Sequence, residues 1–221
     1  MVIPMQKSSL TVQEMREMLL YLCQQMIGYT DTLTQADQAI GDGDHGIGMA
    51  RGFEAVRQKL EAESFTALDE LFKTIGMTLI TSIGGASGVV FGTWFRGGAK
   101  SLPGVTALDS QVLSAWLVDG LAAVKERGKA KPGDKTMVDA LEPAASKSSR
   151  VASAPLDEAL ATVAEAARAG MEATKDMIAS VGRAKTLGER SLGHPDPGAV
   201  STYLILKSMW EYVAEAMPPK P

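Results

Sequence analysis

The stretch LTVQEMREMLLYLCQQM, residues 10–26, carries both a helix start signal and a helical apolar pattern. Thr11 and Glu14 form an S/T-x-x-E capping box, which is typical of a helix N-terminus. The apolar side chains that follow are spaced three and four residues apart: Val12, Met15, Leu19, Leu22 and Met26. The stretch therefore predicts an amphipathic helix with one face in a core.

The same helical pattern recurs along most of the chain. Apolar stripes predict further helices from near Gly46 to Leu60, over 68–79, over 109–127, from Pro155 to about Val181, and from about Gly198 to Ala216. Alternating strand patterns bounded by hairpin turns are absent from the sequence. The segment SKSSRVASA, residues 146–154, is interpreted as a connection between helices. Short connections favour antiparallel neighbours, so we expect an all-α, single-domain antiparallel bundle or barrel of about eight helices.

Composition limits the classes of function. The 221 residues suit one domain, and the formal net charge of −4 argues against general nucleic-acid binding, which requires a basic face. Cys23 is the only cysteine and lies in an apolar helical pattern, which favours a buried core thiol over a nucleophile. No apolar run approaches the ~20 residues of a membrane span. We expect a flexible N-terminus over 1–9, a helical domain over 10–217, no signal peptide and a cytoplasmic location.

Glycine is concentrated in four segments between the predicted helices. In an up-and-down bundle alternate connections lie at the same end, so segments separated by pairs of helices can gather into one site. We therefore expect a common site at one end of the bundle. The segments are GDGDHGIG, GGASGVVFG, RGKAKPGDK and VGRAKTLGERSLGHPDPG.

The segment AIGDGDHGIG, residues 39–48, concentrates negative charge in flexible backbone. Asp42 and Asp44 are two residues apart and project to one side if the segment is extended, and Asp37 lies five residues upstream of Asp42. Carboxylates this close repel each other, and a cation such as Mg²⁺, which prefers oxygen ligands, would remove the conflict. The alternative is a solvated turn in which the aspartates cap the next helix.

Two segments could bind phosphate through backbone amides. His45, Gly46, Ile47 and Gly48 open a helix directly after the aspartates, and free N–H groups at a helix start favour anions. GGASG, residues 84–88, offers a second set, with the Ser87 hydroxyl as a further donor. Its alternative role is close helix packing through small residues. Neither segment matches the Walker pattern of an ordinary P-loop.

Other candidates lie in the last two glycine-rich segments. Arg183 and Arg190 could pair with phosphate or simply be solvated. Met137 could lie against a flat base or belong to the core, and His194 could act as a base or ligand, although a structural turn is favoured there. Asp196 could cap the last helix or hold a ligand hydroxyl. Neither a clear general base nor a metalloprotease, cysteine-metal or G-x-S-x-G motif is present, which favours a metal–nucleotide binding protein over a self-sufficient enzyme.

Four long matches in order make the chain similar to the DhaL family, the nucleotide-binding L subunits of bacterial dihydroxyacetone kinases. The matches are GDGDHG, GMTLITSIGGASGVVFGTWF, RGKAKPGDKTMVDALEPA and GRAKTLGERSLGHPDPGA, and they span roughly residues 37–201. The resemblance implies an eight-helix bundle that holds ADP or ATP with two Mg²⁺ ions at one end.

The resemblance also implies residue roles. Asp37, Asp42 and Asp44 match the metal ligands, and Arg183 matches a phosphate-contacting arginine. The phosphate-binding segments correspond to His45, Gly46, Ile47, Gly48, Ala86 and Ser87. Positions around the adenosine correspond to Gly128, Met137, Asp196, Pro197 and Gly198. Gly48 stands where the family often has asparagine, and Gly43 where phosphotransferase-linked subunits have alanine.

The resemblance implies partners as well. A K subunit holds the ketose and supplies the acid and base groups, so no catalytic residue is assigned to this chain. The phosphoryl source is left open between a phosphotransferase M subunit that recharges bound ADP and exchangeable ATP. The ketose could be dihydroxyacetone, in glycerol metabolism, or another small ketose such as erythrulose. A nucleotide-loaded regulator of a transcription factor is the non-enzymatic alternative.

Overall fold

The computed structural model describes residues 8–215, which form nine α-helices and one pair of short strands. The strands are β1 (Ser9–Thr11) and β2 (Ala107–Asp109). The helices are α1 (Val12–Gly28), α2 (Thr30–Ile40), α3 (His45–Ala62), α4 (Leu68–Ser82), α5 (Gly85–Gly98), α6 (Ser110–Gly128), α7 (Met137–Arg150), α8 (Leu156–Ala173) and α9 (Pro197–Glu215). Short 3₁₀ turns lie at Ala99–Ser101, Thr174–Asp176 and Arg183–Ser191.

The helices form a closed ring of eight positions. From α3 onward each helix packs on the next in the chain, and α9 closes the ring by packing on α1, which packs on α3. Helix α2 follows α1 after a break at Tyr29 and also packs between α3 and α9, so the two helices share one position. The predicted all-α antiparallel bundle or barrel is confirmed and is a closed barrel, with the first of about eight helices divided in two.

Hydrogen bonds identify one end of the barrel. Arg16, in the first turns of α1, donates from Nε to the Leu60 carbonyl near the end of α3. The Leu68 amide, at the start of α4, donates to the Val105 carbonyl just before β2. β1 and β2 pair antiparallel at this end, with Leu10 opposite Leu108. The glycine-rich segments therefore lie at the opposite end.

The interior of the ring is a continuous apolar core. Helices α4, α5 and α6 meet at an aromatic cluster in which the Trp94 and Trp116 rings stack 5.2 Å apart and Trp116 stacks on Phe72 at 5.0 Å. Gly98 and Gly120 allow this approach, because a Cβ atom at either would collide with one of the two indoles. Cys23 is fully buried in the core, as predicted, and burial raises the pKa of its thiol.

Three sequence predictions need correction. The helix predicted to reach Val181 ends at Ala173, because the Thr174 and Met177 carbonyls turn towards the Lys135 ammonium. Residues 146–150 are helical and belong to α7, where the Ser148 and Ser149 hydroxyls donate to the Ala145 carbonyl, so the helix accommodates these polar residues. The strands were not predicted, since three residues are too few to show alternation.

The ends of the chain are described only in part. Residues 1–7 of the predicted flexible segment 1–9, and residues 216 and 217 of the predicted domain 10–217, lie outside the described residues. Within residues 8–215 no helix is long and apolar enough to cross a membrane.

Candidate functional site

A cavity of about 650 Å³ lies at the glycine-rich end of the barrel. The ends of α2, α4 and α6 and the starts of α3, α5, α7 and α9 border it. The residues proposed from the sequence as metal or nucleotide ligands line this cavity, except Gly46, Arg190 and His194. The up-and-down arrangement therefore gathers all four glycine-rich segments, as predicted.

The aspartate loop forms one wall of the cavity. Helix α2 stops at Ile40, and Gly43 adopts φ +79°, a left-handed conformation that glycine accepts readily. The turn brings carboxylate oxygens of Asp37, Asp42 and Asp44 within 4.8 Å of one another. This cluster supplies the hard oxygen donors that Mg²⁺ prefers.

The alternative capping role applies to only one of the three aspartates. The Asp44 side chain makes no capping hydrogen bond, although Asp44 holds the N-cap position of α3. Asp37, from the preceding helix, instead accepts from the His45 backbone N–H at 3.2 Å. Asp42 and Asp44 are about half exposed and largely exposed, respectively, so capping does not account for their placement.

Arg183 provides positive charge beside this cluster. Its guanidinium pairs with the Asp42 carboxylate and lies 3.5 Å from that of Asp44. All three side chains are more than 45% exposed, so solvent screens the pair and its contribution to folding is small. The arrangement instead places a guanidinium at the polar end of the cavity.

His45 differs from its neighbours because its imidazole is buried. Nδ1 lies 3.1 Å from the Ser87 hydroxyl and Nε2 lies 2.8 Å from the Ser201 hydroxyl. Burial lowers the pKa of the imidazole, which therefore remains neutral at pH 7. The side chain thus ties α3 to α5 and α9, while His45 also lines the cavity.

Helices α3 and α5 both begin at the cavity. At the start of α5, Gly84 and Gly85 adopt φ +81° and +59°, and the first helical amides have no partner within the helix. Such amides favour an anion. Gly46 has a different role, because its Cβ would collide with the Thr30 carbonyl and Thr34, so it allows α3 to pack on α2.

Arg51 is a second cation at the cavity that the sequence did not reveal. Its Nε donates to the Ser82 carbonyl at 2.7 Å, and Nη2 donates to the Ile83 carbonyl. The guanidinium thereby stabilises the C-terminal end of α4, just before the glycines that precede α5. An arginine within an amphipathic helix carries no signal of such a role.

A second group of residues that line the cavity is apolar. Met137 is buried in the core and also lines the cavity, so the two roles considered for it are compatible. Gly128 has only Val90 Cγ1 near its missing Cβ, at 3.9 Å, which leaves the wall open there. The remaining apolar lining residues include Val90, Phe91, Val124 and Val138.

Asp196 lines the cavity and directly precedes α9. Its carboxylate accepts from the Ala199 amide at 2.7 Å, and its own amide donates to the Thr174 hydroxyl at 2.9 Å. Desolvation raises the pKa of this carboxyl to about 7. Pro197 and Gly198 form the first turn of α9 against Met137. Asp196 therefore caps α9, as one of its predicted roles required, while it lines the cavity.

Two further candidates lie away from the cavity. Arg190 does not line it and is exposed. The His194 side chain is exposed, while its carbonyl accepts from Lys135, in agreement with a structural turn. Lys135 lines the cavity but was missed, because its partners are backbone carbonyls from distant segments.

The DAK2 domain family matches residues 39–211. The ADP-binding subunit DhaL of PEP-dependent dihydroxyacetone kinase 1 from Listeria innocua is 41% identical over 177 residues, covering 80% of this chain and 84% of that protein. The corresponding subunit from Escherichia coli K12 is 41% identical over 185 residues, covering 81% and 87%.

A solved structure agrees with these relatives. The dihydroxyacetone kinase from C. freundii in complex with AMP-PNP and Mg²⁺ superposes with a TM-score of 0.71 at 26% identity, covering 96% of this chain. This chain spans 36% of that kinase. With the barrel fold and the family match over most of the sequence, the chain belongs to the DAK2-domain family of dihydroxyacetone kinase DhaL subunits.

Proposed function

We propose that this chain is the nucleotide-binding subunit of a dihydroxyacetone kinase and transfers a phosphoryl group to a ketose held by a partner subunit. The observation that carries the proposal is the cluster of Asp37, Asp42 and Asp44 at a cavity bordered by the starts of α3 and α5. Its relatives from Listeria innocua and Escherichia coli are named as ADP-binding subunits of such kinases.

The three carboxylates fit a divalent cation bound together with phosphate. Three close oxygen donors are too few for a complete Mg²⁺ shell, and Mg²⁺ sites commonly take their remaining ligands from substrate phosphates and water. We propose two Mg²⁺ ions, since three carboxylates can be shared between two ions. When bound, they neutralise phosphate charge, which is the main requirement of phosphoryl transfer.

The cavity favours one orientation of ADP or ATP. The amides that open α3 and α5 lie at the polar end, where they and Arg183 suit the phosphates. The apolar lining near Met137 and Gly128 suits the adenine. Asp196 also lines the cavity, where its carboxylate can accept a hydrogen bond from a ribose hydroxyl. We propose that His45, Ile47, Gly48, Ala86 and Ser87 lie near the phosphates and that Pro197 and Gly198 lie near the adenosine. Gly46 acts through helix packing.

The acceptor and the acid–base groups are proposed to belong to a ketose-binding K-type subunit. On this chain His45 is held between two serines and His194 lies outside the cavity, so neither is placed to act as a general base. The names of the relatives, PEP-dependent kinases, favour a phosphotransferase M subunit that recharges bound ADP over exchangeable ATP. We place the reaction in the cytoplasm, in glycerol and dihydroxyacetone metabolism.

Reconstitution tests this function. The purified chain is mixed with a K-type subunit and dihydroxyacetone, and either the phosphoenolpyruvate phosphotransferase components or ATP is added. We expect dihydroxyacetone phosphate to form only with the phosphotransferase components. Product with ATP alone would favour exchangeable ATP as the phosphoryl donor. A phosphorylated product that forms only when erythrulose replaces dihydroxyacetone would favour erythrulose as the ketose. No phosphorylated product under any condition would contradict the proposed function.

A further inference from the structure

Lys135 has an unusual environment for a lysine, because its side chain is buried at the edge of the cavity with 2% of its surface exposed. Its three N–H groups are shared among four backbone carbonyls, those of Thr174, Met177, Ser191 and His194, which lie 2.7, 3.1, 2.8 and 2.6 Å from Nζ. A compact ammonium can reach carbonyls on several sides, which a planar guanidinium cannot do. Desolvation lowers the pKa of this ammonium, an effect that the charges of Asp196 and Asp176 oppose.

The four carbonyls flank one segment of the chain. We define the flap as residues 178–190, so two of the carbonyls precede it and two follow it. Another bond joins the same two stems, from the Gly193 N–H to the Lys175 carbonyl at 2.8 Å, and the first residues of the flap are held by a bond from the Ala179 N–H to the Ser191 hydroxyl at 3.0 Å. Lys135 therefore closes the base of the flap from within the protein.

The flap itself has few anchors beyond its base. Within it only Ala179 is buried, and Gly182 and Gly188 adopt φ +70° and +54°. Ser180 joins the flap to the loop that contains Lys135, since its hydroxyl donates to Asp134 Oδ1 at 2.6 Å and its amide donates to the Asp134 carbonyl at 3.3 Å. The part of the flap that lines the cavity, residues 181–184, includes Arg183. The position of this arginine thus depends on how firmly the stems are held as well as on its solvent-exposed ion pair with Asp42.

We propose that Lys135 is a positioning residue that clamps both stems of the flap and so keeps Arg183 at the polar end of the cavity. Removing its ammonium takes a donor from four buried or partly buried carbonyls, of which that of Thr174 keeps the Met177 amide, and this loss favours separation of the stems. The predicted consequence is a flap that opens more often and a nucleotide that leaves faster. The nucleotide effect rests on the proposed function, whereas the effect on the flap does not.

Limited proteolysis tests the clamp without a ligand. The flap contains three trypsin sites, Arg183, Lys185 and Arg190, and cleavage of a transiently opened segment follows the population of its open form. We expect Lys135→Met to be cleaved in the flap at least tenfold faster than the unaltered chain. Lys175→Met is the matched control, because Lys175 pairs with Glu172 at the surface beside the same stem. Equal cleavage in the Lys135→Met variant and the control would overturn the clamp.

A double-mutant cycle tests whether Lys135 acts through Arg183. The dissociation rate of a fluorescent ADP analogue with Mg²⁺ is measured for Lys135→Met, Arg183→Ala and the double variant. We expect about fivefold faster dissociation for Lys135→Met, and no further increase when it is added to Arg183→Ala. Independent effects would multiply in the double variant, and that outcome would overturn the positioning role.

A milder variant keeps the proposal testable if Lys135→Met does not fold. Ser180→Ala removes the hydroxyl bond to the Asp134 carboxylate, keeps the backbone bond to the Asp134 carbonyl, and should accelerate flap cleavage by a smaller factor, about two- to threefold. No acceleration in Ser180→Ala would then overturn the proposal. If the unaltered chain binds no nucleotide, the proposed function fails, while the proteolysis result still decides whether Lys135 clamps the flap.

Discussion

At the scale of single residues, the site depends on charge that the protein alone does not fully compensate. Asp42 and Asp44 are exposed beside one guanidinium, that of Arg183. Asp37 accepts a hydrogen bond from the His45 amide at the start of α3. The cluster is therefore better suited to a ligand than to the stability of the fold. The sequence could predict it because acidic residues separated by glycines are conspicuous in a helical chain.

The first residue-scale prediction concerns Asp42. Asp42→Asn removes one anionic oxygen donor and should weaken Mg²⁺-dependent ADP binding at least tenfold, about 1.4 kcal/mol, by isothermal titration calorimetry. The free energy of unfolding without ligand should change by less than about 0.5 kcal/mol, because the side chain is exposed. Asp31→Asn, at an exposed acidic residue of α2, is the control. Unchanged ADP affinity in Asp42→Asn would contradict the metal assignment.

A second residue-scale prediction concerns the pH dependence of stability through Asp196. Because its pKa rises from 3.8 to about 7 on folding, the folded state retains a proton that the unfolded state has lost between these values. Its stabilising contribution is fully present below pH 3.8 and is lost as the pH rises through 7.

Asp196→Asn retains a side-chain oxygen for the Ala199 amide but cannot ionise. The variant should therefore gain unfolding free energy relative to the unaltered chain between pH 5 and pH 8, measured by urea unfolding. Asp109→Asn is the matched control, because Asp109 caps α6 by accepting from the Val112 amide but is exposed. If the difference in unfolding free energy between Asp196→Asn and the unaltered chain stays constant across this pH range, the pKa of Asp196 is not raised on folding.

At the scale of elements, two glycines set the distance between α4 and α5. A Cβ at Gly76 would lie 2.6 Å from the Gly92 carbonyl oxygen, and one at Gly92 would lie 2.5 Å from the Gly76 carbonyl oxygen. The two backbones therefore touch, and this contact fixes how the glycine-rich turn between the helices enters the cavity.

Replacing Gly76 should disturb that contact. Gly76→Ala is expected to destabilise the protein by about 1–3 kcal/mol, because the helices must separate to accommodate the methyl group. Gly28→Ala, at the end of α1 with no atom within 4 Å of the added Cβ, should be neutral or stabilising by up to about 1 kcal/mol. Thermal or denaturant unfolding of both variants measures the difference. Equal stability of the two would contradict the close packing.

Helix starts were easier to predict from the sequence than helix ends. Thr11 with Glu14 marks the start of α1 through side-chain bonds that are local in sequence, and the structure contains this capping box. The end of α8 depends on Lys135, which lies 39 residues before Thr174 along the chain. Arg51 was missed for the same reason, since the carbonyls it binds follow it by about 30 residues. Contacts distant in sequence leave no periodic signal.

At the scale of the whole molecule, the closed ring combines rigidity with an open end. One end is fastened by the β1–β2 pair, whereas the other presents four helix starts and three helix ends around the cavity. Alternation of helix direction was predictable from the short connections. The closure of the ring and the shape of the cavity were not, because they depend on how α9 packs against α1.

The most direct test of the central claim is native mass spectrometry of the purified chain after it is loaded with ADP and Mg²⁺ and then dialysed without nucleotide. We expect one ADP per chain, accompanied by two magnesium ions, and loss of this complex in the Asp42→Asn variant. A chain that carries no nucleotide even at saturating ADP or ATP with Mg²⁺ would show that the cavity is not a nucleotide site.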